Sequence, residues 1–105
     1  MNHTHIEDLT QKIEIPEGGT LSRVLSKDGN IRLVGFGFDA GEELTDHSAG
    51  VPVVIQVLSG RLNVGVEGAT YEMTPDSWLR LDAGVPHSVK ALEPSRLLLT
   101  MIRPA

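Results

Sequence analysis

Short apolar segments, each bounded by turn residues, follow one another along most of the chain. Apolar residues alternate with polar residues or glycine from Leu62 to Val66, and two leucines alternate with polar or aromatic neighbours from Ser77 to Asp82. A period of two is typical of a strand with one buried face. The segment from Val53 to Ser59 is almost continuously apolar, which favours a strand covered on both faces. No stretch of ten residues carries the apolar stripe of a helix.

Turn sequences divide the chain into short predicted strands. Lys27 to Asn30 and Glu67-Gly68 are typical of tight hairpins, because glycine and asparagine tolerate a positive φ. About nine or ten strands with frequent turns and no helix are typical of an all-β sandwich or barrel. The predicted strands span residues 20–26, 31–38, 42–47, 53–59, 61–66, 69–73, 77–82, 88–91 and 96–103.

The chain has the size and composition of one globular domain. Of its 105 residues, 40% are hydrophobic and 22% are charged. Residues 1–12 are polar and unpatterned, and we expect a flexible N-terminal tail there, followed by a single domain over 13–105. A domain this short buries only about two-thirds of its unfolded surface, so a second subunit would add stability. We therefore predict a homodimer.

Charge and composition exclude several classes of partner. The net charge is −5 and the nine lysines and arginines are scattered, whereas binding nucleic acid requires a basic face. No apolar run approaches the roughly 20 residues that a bilayer helix needs, and the first residues lack the apolar core of a signal peptide. The absence of cysteine excludes disulfides and cysteine zinc sites. We predict a soluble cytoplasmic protein that binds neither nucleic acid nor membranes.

Two histidines lie in stretches with a recognisable spacing. Five residues separate Gly41 from His47, and the same stretch ends at Gly60; the second stretch is Gly84-Val85-Pro86-His87. These stretches resemble the two motifs of the cupin superfamily, G-x5-H-x-H-x3-4-E-x6-G and G-x5-P-x-G-x2-H-x3-N. The resemblance implies an all-β cupin jelly-roll barrel, in agreement with the strand pattern, and it implies that His47 and His87 point into one cavity.

Other residues occupy two of the cupin motifs' usual metal-ligand positions. Ala49 stands where the family has its second histidine, and Val53 stands where it has a glutamate. Catalytic metal sites usually have three protein ligands, and non-haem iron sites use two histidines and a carboxylate. We therefore predict a ligand pocket that includes His47, His87, Ala49 and Val53. The two histidines would hold at most a weakly bound divalent metal such as Fe, Mn, Ni or Zn.

Gln56 is a further candidate for the pocket. A primary amide within an apolar strand must form hydrogen bonds or destabilise the fold. Its odd offset from Val53 places it on the other face of a regular strand, unless a bulge intervenes. It either bonds backbone or a neighbouring subunit, or it is a pocket amide that orients a ligand. Asp46 and Ser48 flank His47, and strand alternation predicts that both point to the opposite face.

Three functions are compatible with this sequence. The favoured one is a cupin that binds a small organic ligand in its barrel. The second, implied by the resemblance, is a metal-dependent dioxygenase, isomerase or decarboxylase that acts on a small organic acid through His47 and His87. The third is a dimeric interaction module whose strand Val53 to Leu58 forms a subunit interface. The sequence is compatible with an enzyme and with a non-catalytic binding protein.

Overall fold

The fold is all-β, as the alternation predicts. In the computed structural model, which describes residues 2–104, these residues form one short 3-10 helix, Leu9–Lys12, and nine strands. Every predicted strand is present, and the observed ends differ from the predicted ones by at most two residues. The strands are β1 Thr20–Asp28, β2 Ile31–Phe38, β3 Glu43–His47, β4 Val53–Ser59, β5 Leu62–Val66, β6 Ala69–Met73, β7 Trp78–Leu81, β8 His87–Ala91 and β9 Ser95–Ile102.

The strands form two antiparallel sheets that pack face to face. The larger sheet has the order β1-β2-β9-β4-β7, and the smaller has the order β3-β8-β5-β6. The chain crosses between the sheets repeatedly, which gives the jelly-roll arrangement. The core lies between the inner faces, and its largest fully buried apolar side chains are Phe38, Val53, Ile55, Leu62 and Val64.

Strand β4 shows how alternation builds this core. Val53, Ile55 and Val57 are buried, whereas Val54 and Gln56 between them are only half-buried. The continuous apolar run therefore covers one face of β4 fully and the other face in part. The three buried side chains pack inside their own chain, so an interface role for this strand is restricted to the outward residues.

The segment before β1 packs on the outer face of the larger sheet. A Cβ atom at Gly37 would overlap the Glu14 carbonyl oxygen, and one at Gly35 would lie 2.5 Å from Ile13 Cγ1. Ile13 is 2% exposed, and Arg96 Nε donates to its carbonyl oxygen at 2.7 Å. Gly35 therefore leaves room for the Ile13 side chain, and Gly37 leaves room for the backbone of residues 14–15.

The N-terminal residues also contact the barrel. The Thr4 hydroxyl donates to the Asp28 carboxylate at 2.6 Å, and the helix Leu9–Lys12 follows. The flexibility predicted for residues 1–12 stays a prediction, and Met1 and Ala105 lie outside the described residues. Over 2–104, no helix has the length and apolar character to span a membrane.

Candidate functional site: an apolar cavity bordered by two histidines

A cavity of about 230 Å³ lies between the two sheets. Each water molecule takes about 30 Å³ of liquid, so the space corresponds to roughly eight water-sized groups. Side chains from both sheets make its walls predominantly apolar. These include Phe36, Leu44, Ile55, Val89, Leu99 and Met101.

His47 and His87 border this cavity from neighbouring strands. They lie directly opposite each other in the β3–β8 pair, where Cβ atoms of facing residues are about 5 Å apart. Leu44 pairs with Val89, so β3 has an extra residue before His47, and this bulge keeps Leu44 and His47 on the same inner face. His47 is exposed, and we call this open side of the cavity the mouth.

A backbone hydrogen bond orients the His87 ring. Nδ1 lies 3.2 Å from the Val85 carbonyl oxygen. A carbonyl oxygen only accepts, so this contact favours the tautomer with its hydrogen on Nδ1. In that tautomer Nε2 keeps a free lone pair, which can accept a hydrogen bond or bind a metal ion. His87 is half-buried, so Nε2 is the ring atom available for chemistry at the mouth.

The loops that carry the two motifs are joined at the mouth. The backbone N–H of Gly84 donates to the Ala49 carbonyl oxygen at 2.7 Å. Ala49 and Val53 both line the cavity with methyl groups. Ser48, which alternation predicts to point away, is also among the residues that line the cavity. Strand β3 ends at His47, and strict alternation does not extend into the loop that follows.

The structure does not bring Gln56 to the cavity. Gln56 lies opposite Leu98 and Trp78, on the outer face of the larger sheet. The irregularity in β4 comes later, between Val57 and Ser59, so alternation from Val53 holds at Gln56. Its side chain is only half-buried, and solvent can therefore satisfy part of the amide.

The residues at the mouth do not fit a three-ligand metal site. The polar residues of the lining are His47, His87 and Ser48, and Ala49 and Val53 occupy the two remaining motif positions with methyl groups. Within the described part of the chain, no group of three His, Asp or Glu residues is placed to hold a metal ion. Two imidazoles supply fewer protein ligands than catalytic zinc or non-haem iron sites use.

Two aromatic residues of β2 also line the cavity. Phe36 and Phe38 line the inner end of the cavity, with ring centroids 6.1 Å apart and planes 14° from parallel. Both alternate with Gly35 and Gly37, which face the N-terminal segment. This alternation of ring and glycine in the sequence indicates two different surroundings for the faces of β2.

The likeness to solved structures covers the whole fold. No protein-family model and no curated protein match the sequence. A conserved protein of unknown function, SPY1581 from Streptococcus pyogenes, is 28% identical, with a TM-score of 0.84 over 100% of this chain and 92% of that one. An RmlC-like cupin protein from Desulfovibrio desulfuricans is 24% identical, with a TM-score of 0.85 over 98% of this chain and 100% of that one. The chain has the cupin fold.

A third structure agrees with this assignment. A cupin 2 conserved barrel domain protein from Leptotrichia buccalis is 27% identical, with a TM-score of 0.83 over 91% of this cupin and 47% of that chain. The expected cupin barrel is therefore confirmed. Ala49 and Val53, which stand where the cupin motifs have a histidine and a glutamate, both line the cavity of this chain.

Proposed function

We propose that this cupin binds a small, largely apolar organic molecule between its sheets, with the molecule's polar group at His47 and His87. The observation that carries the proposal is the cavity of about 230 Å³, with apolar walls and polar side chains at its mouth. Ligand pockets typically combine apolar walls with a few polar groups that fix the ligand's orientation. The volume limits the ligand to a small molecule.

The two histidines give the mouth complementary hydrogen-bonding chemistry. The Val85 carbonyl leaves His87 Nε2 as an acceptor for a ligand hydroxyl or amide. Among residues 2–104, no backbone group forms a hydrogen bond with the exposed His47 ring, so this ring can donate or accept. The apolar walls behind them favour a ligand with one polar end over one that is polar throughout.

Histidine variants test this orientation. Metal-stripped protein would be titrated with hexanol and with benzyl alcohol, and affinity measured by NMR chemical shifts. We expect His87→Ala to weaken binding about fivefold, the effect of one hydrogen bond near 1 kcal/mol. His5→Ala, in the N-terminal segment, is the matched control and should leave affinity unchanged. Equal affinities in wild type and His87→Ala would contradict the proposed orientation.

Binding by this account requires no metal ion, although two imidazoles would hold a divalent metal weakly. Elemental analysis of untagged protein, purified without a metal column or chelator, would compare the wild type with the His47→Ala, His87→Ala double variant. We expect far less than stoichiometric Fe, Mn, Ni or Zn in both proteins. A stoichiometric metal lost in the double variant would instead favour the metal-dependent enzyme.

The homodimer and the cytoplasmic location stay predictions from the sequence. Trp78 is 62% exposed on the outer face of the larger sheet, beside the outward residues of β4. Sedimentation at several protein concentrations would test the homodimer.

A further inference from the structure

A row of facing residues crosses the larger sheet from a pair of cations to the cavity wall. Lys27 lies opposite Arg32, Arg32 opposite Met101, and Met101 opposite Val53. Residues directly opposite in an antiparallel pair share one face. Met101 and Val53 line the cavity, so Lys27 and Arg32 extend the same inner face toward the sheet edge.

The neighbours of Arg32 independently place it on this face. Ile31 and Leu33 line a groove between the hairpin and the N-terminal segment, together with Ser26 and Asp28. Side chains alternate along a strand, so Arg32 points the other way, toward the cavity side.

The positive charges in this row lack acidic partners. Among residues 2–104, no carboxylate lies within 4.0 Å of the nitrogen atoms of Lys27 or Arg32. Arg32 Nε is also buried without a hydrogen-bond partner. Asp28 is turned to the outer face, where Thr4 and Ser26 donate to its carboxylate. Like charges directly opposite each other destabilise a sheet, so the pair costs stability unless an anion lies beside it.

A third cation reaches the same end of the sheet. The backbone N–H of Arg103 donates to the Asn30 carbonyl oxygen, and its guanidinium donates to the Gly29 carbonyl oxygen at 3.3 Å. The net charge of the chain is −5, so this local group of positive charges differs in sign from the chain as a whole. We call Lys27, Arg32 and Arg103 the cationic rim.

The cationic rim continues the cavity wall that the histidines also border. Arg32 lies directly opposite Met101, and Met101 lines the same cavity as His47 and His87. Arg32 is the second residue of β2. Asp46 is exposed on β3 next to His47.

We infer that the polar end of the ligand is a carboxylate held at the cationic rim, so that this cupin binds small monocarboxylic acids with an apolar tail in the cavity. The inference rests on the proposed function, because it needs the cavity to be the ligand site. The rim offers charge to the carboxylate, and the apolar walls accept the tail.

Calorimetric titration with a matched acid and alcohol tests this inference. Hexanoate and hexanol would be titrated into protein that has been passed over a chelating resin, which avoids a soluble polycarboxylate chelator. The variants are Lys27→Gln, the double variant Lys27→Gln, Arg32→Gln, and Arg32→Lys, which keeps the charge. The control is Lys90→Gln, because Lys90 is exposed on β8 between buried Val89 and Ala91, and so on the outer face of the smaller sheet.

We expect the double variant to bind hexanoate about tenfold more weakly than wild type at low ionic strength, with hexanol affinity unchanged. Lys27→Gln alone should show part of this loss, and Lys90→Gln none. Salt should reduce the difference, because the Debye length falls to about 10 Å near 0.1 M. Unliganded Lys27→Gln should melt no lower than wild type, since it removes a repulsive pair; a purely structural lysine would lower the melting temperature.

The other outcomes separate the two proposals. If the double variant binds hexanol and hexanoate each as tightly as wild type does, the rim inference is overturned and the proposed function stands. An equal loss in Lys90→Gln would also overturn the inference, because it would show a general effect of net charge. If neither compound binds any form of the folded protein, the proposed function fails and the inference fails with it.

Discussion

Ser95 is a polar side chain with no exposed surface, and it joins two turns at one end of the barrel. Its hydroxyl oxygen accepts from the Arg61 backbone N–H at 2.9 Å, and the hydroxyl lies 2.7 Å from the Glu93 carbonyl oxygen, to which it donates. Ser95 pairs with Phe38, the last residue of β2, so it lies away from the cationic rim at the start of that strand.

Replacing Ser95 with alanine should therefore lower stability without weakening ligand binding. The change removes the acceptor of the part-buried Arg61 N–H, and we expect a loss of about 1–3 kcal/mol in the free energy of unfolding. Ser77→Ala is the control, because the Ser77 hydroxyl also accepts a backbone N–H but is exposed. Urea unfolding of both variants makes the comparison; equal losses would show that burial of Ser95 is not the cause.

Asp39 fastens the loop before β1 to the turn after β2, and this contact makes stability depend on pH. Backbone N–H groups of Gly18 and then Ala40 donate to its carboxylate, and these bonds lower the pKa of Asp39 below 3.8. A lowered pKa in the folded state stabilises the fold at pH values above 3.8. That contribution is lost as the pH falls through the lower folded value.

Asp39→Asn should remove this part of the acid sensitivity. We expect the variant to be less stable than wild type at neutral pH, with the difference shrinking as the pH falls below 3.8. Asp28, whose pKa is lowered by the hydroxyls of Thr4 and Ser26, keeps its own contribution in both proteins. Urea midpoints across this pH range provide the measurement, and a difference independent of pH would contradict the assignment to the carboxylate.

At the scale of elements, alternation and turn residues were sufficient to predict all nine strands. They were not sufficient for the site, because that depends on register. The bulge in β3 and the loop after it decide that Ser48 joins His47 at the cavity, and neither is visible as a pattern in Glu43 to Ala49. Likewise, the face of the sheet on which Lys27 and Arg32 lie follows from the pairing of β1 with β2. That pairing has an irregularity between Val24 and Ser26.

The packing of the N-terminal segment against β2 can be tested with a single substitution. Gly37→Ala places a methyl group against the Glu14 backbone, which cannot move aside as a flexible side chain can. We expect a loss of about 3 kcal/mol and faster hydrogen exchange in residues 13–15. Gly19→Ala is the control, because its added Cβ would meet Pro16 Cγ at 3.7 Å and Pro16 Cβ at 4.0 Å, which are ordinary contacts. A Gly37→Ala variant as stable as Gly19→Ala would contradict the observed packing.

For the whole molecule, the two ends of the barrel have different roles. At one end, part-buried hydrogen bonds between the Ser95 hydroxyl and the Arg61 backbone join the neighbouring turns. The other end carries the histidines, exposed loops and the cationic rim. The positions of His47 and His87 at the cavity could be predicted because the spacing of glycine and histidine resembles the cupin motifs. Arg32 and Phe36 belong to no motif, so only the assembled sheets show where they lie.

The central claim is that the apolar cavity is the ligand site, and filling the cavity tests it most directly. NMR titration of metal-stripped protein with hexanol would compare wild type with Val53→Phe, whose ring enters the cavity, and with Val54→Phe, whose ring lies on the outer face of the same strand. Circular dichroism would confirm that both variants are folded. The account predicts that Val53→Phe loses binding while Val54→Phe keeps it. Undiminished binding in folded Val53→Phe, or no binding in wild type, would contradict the account.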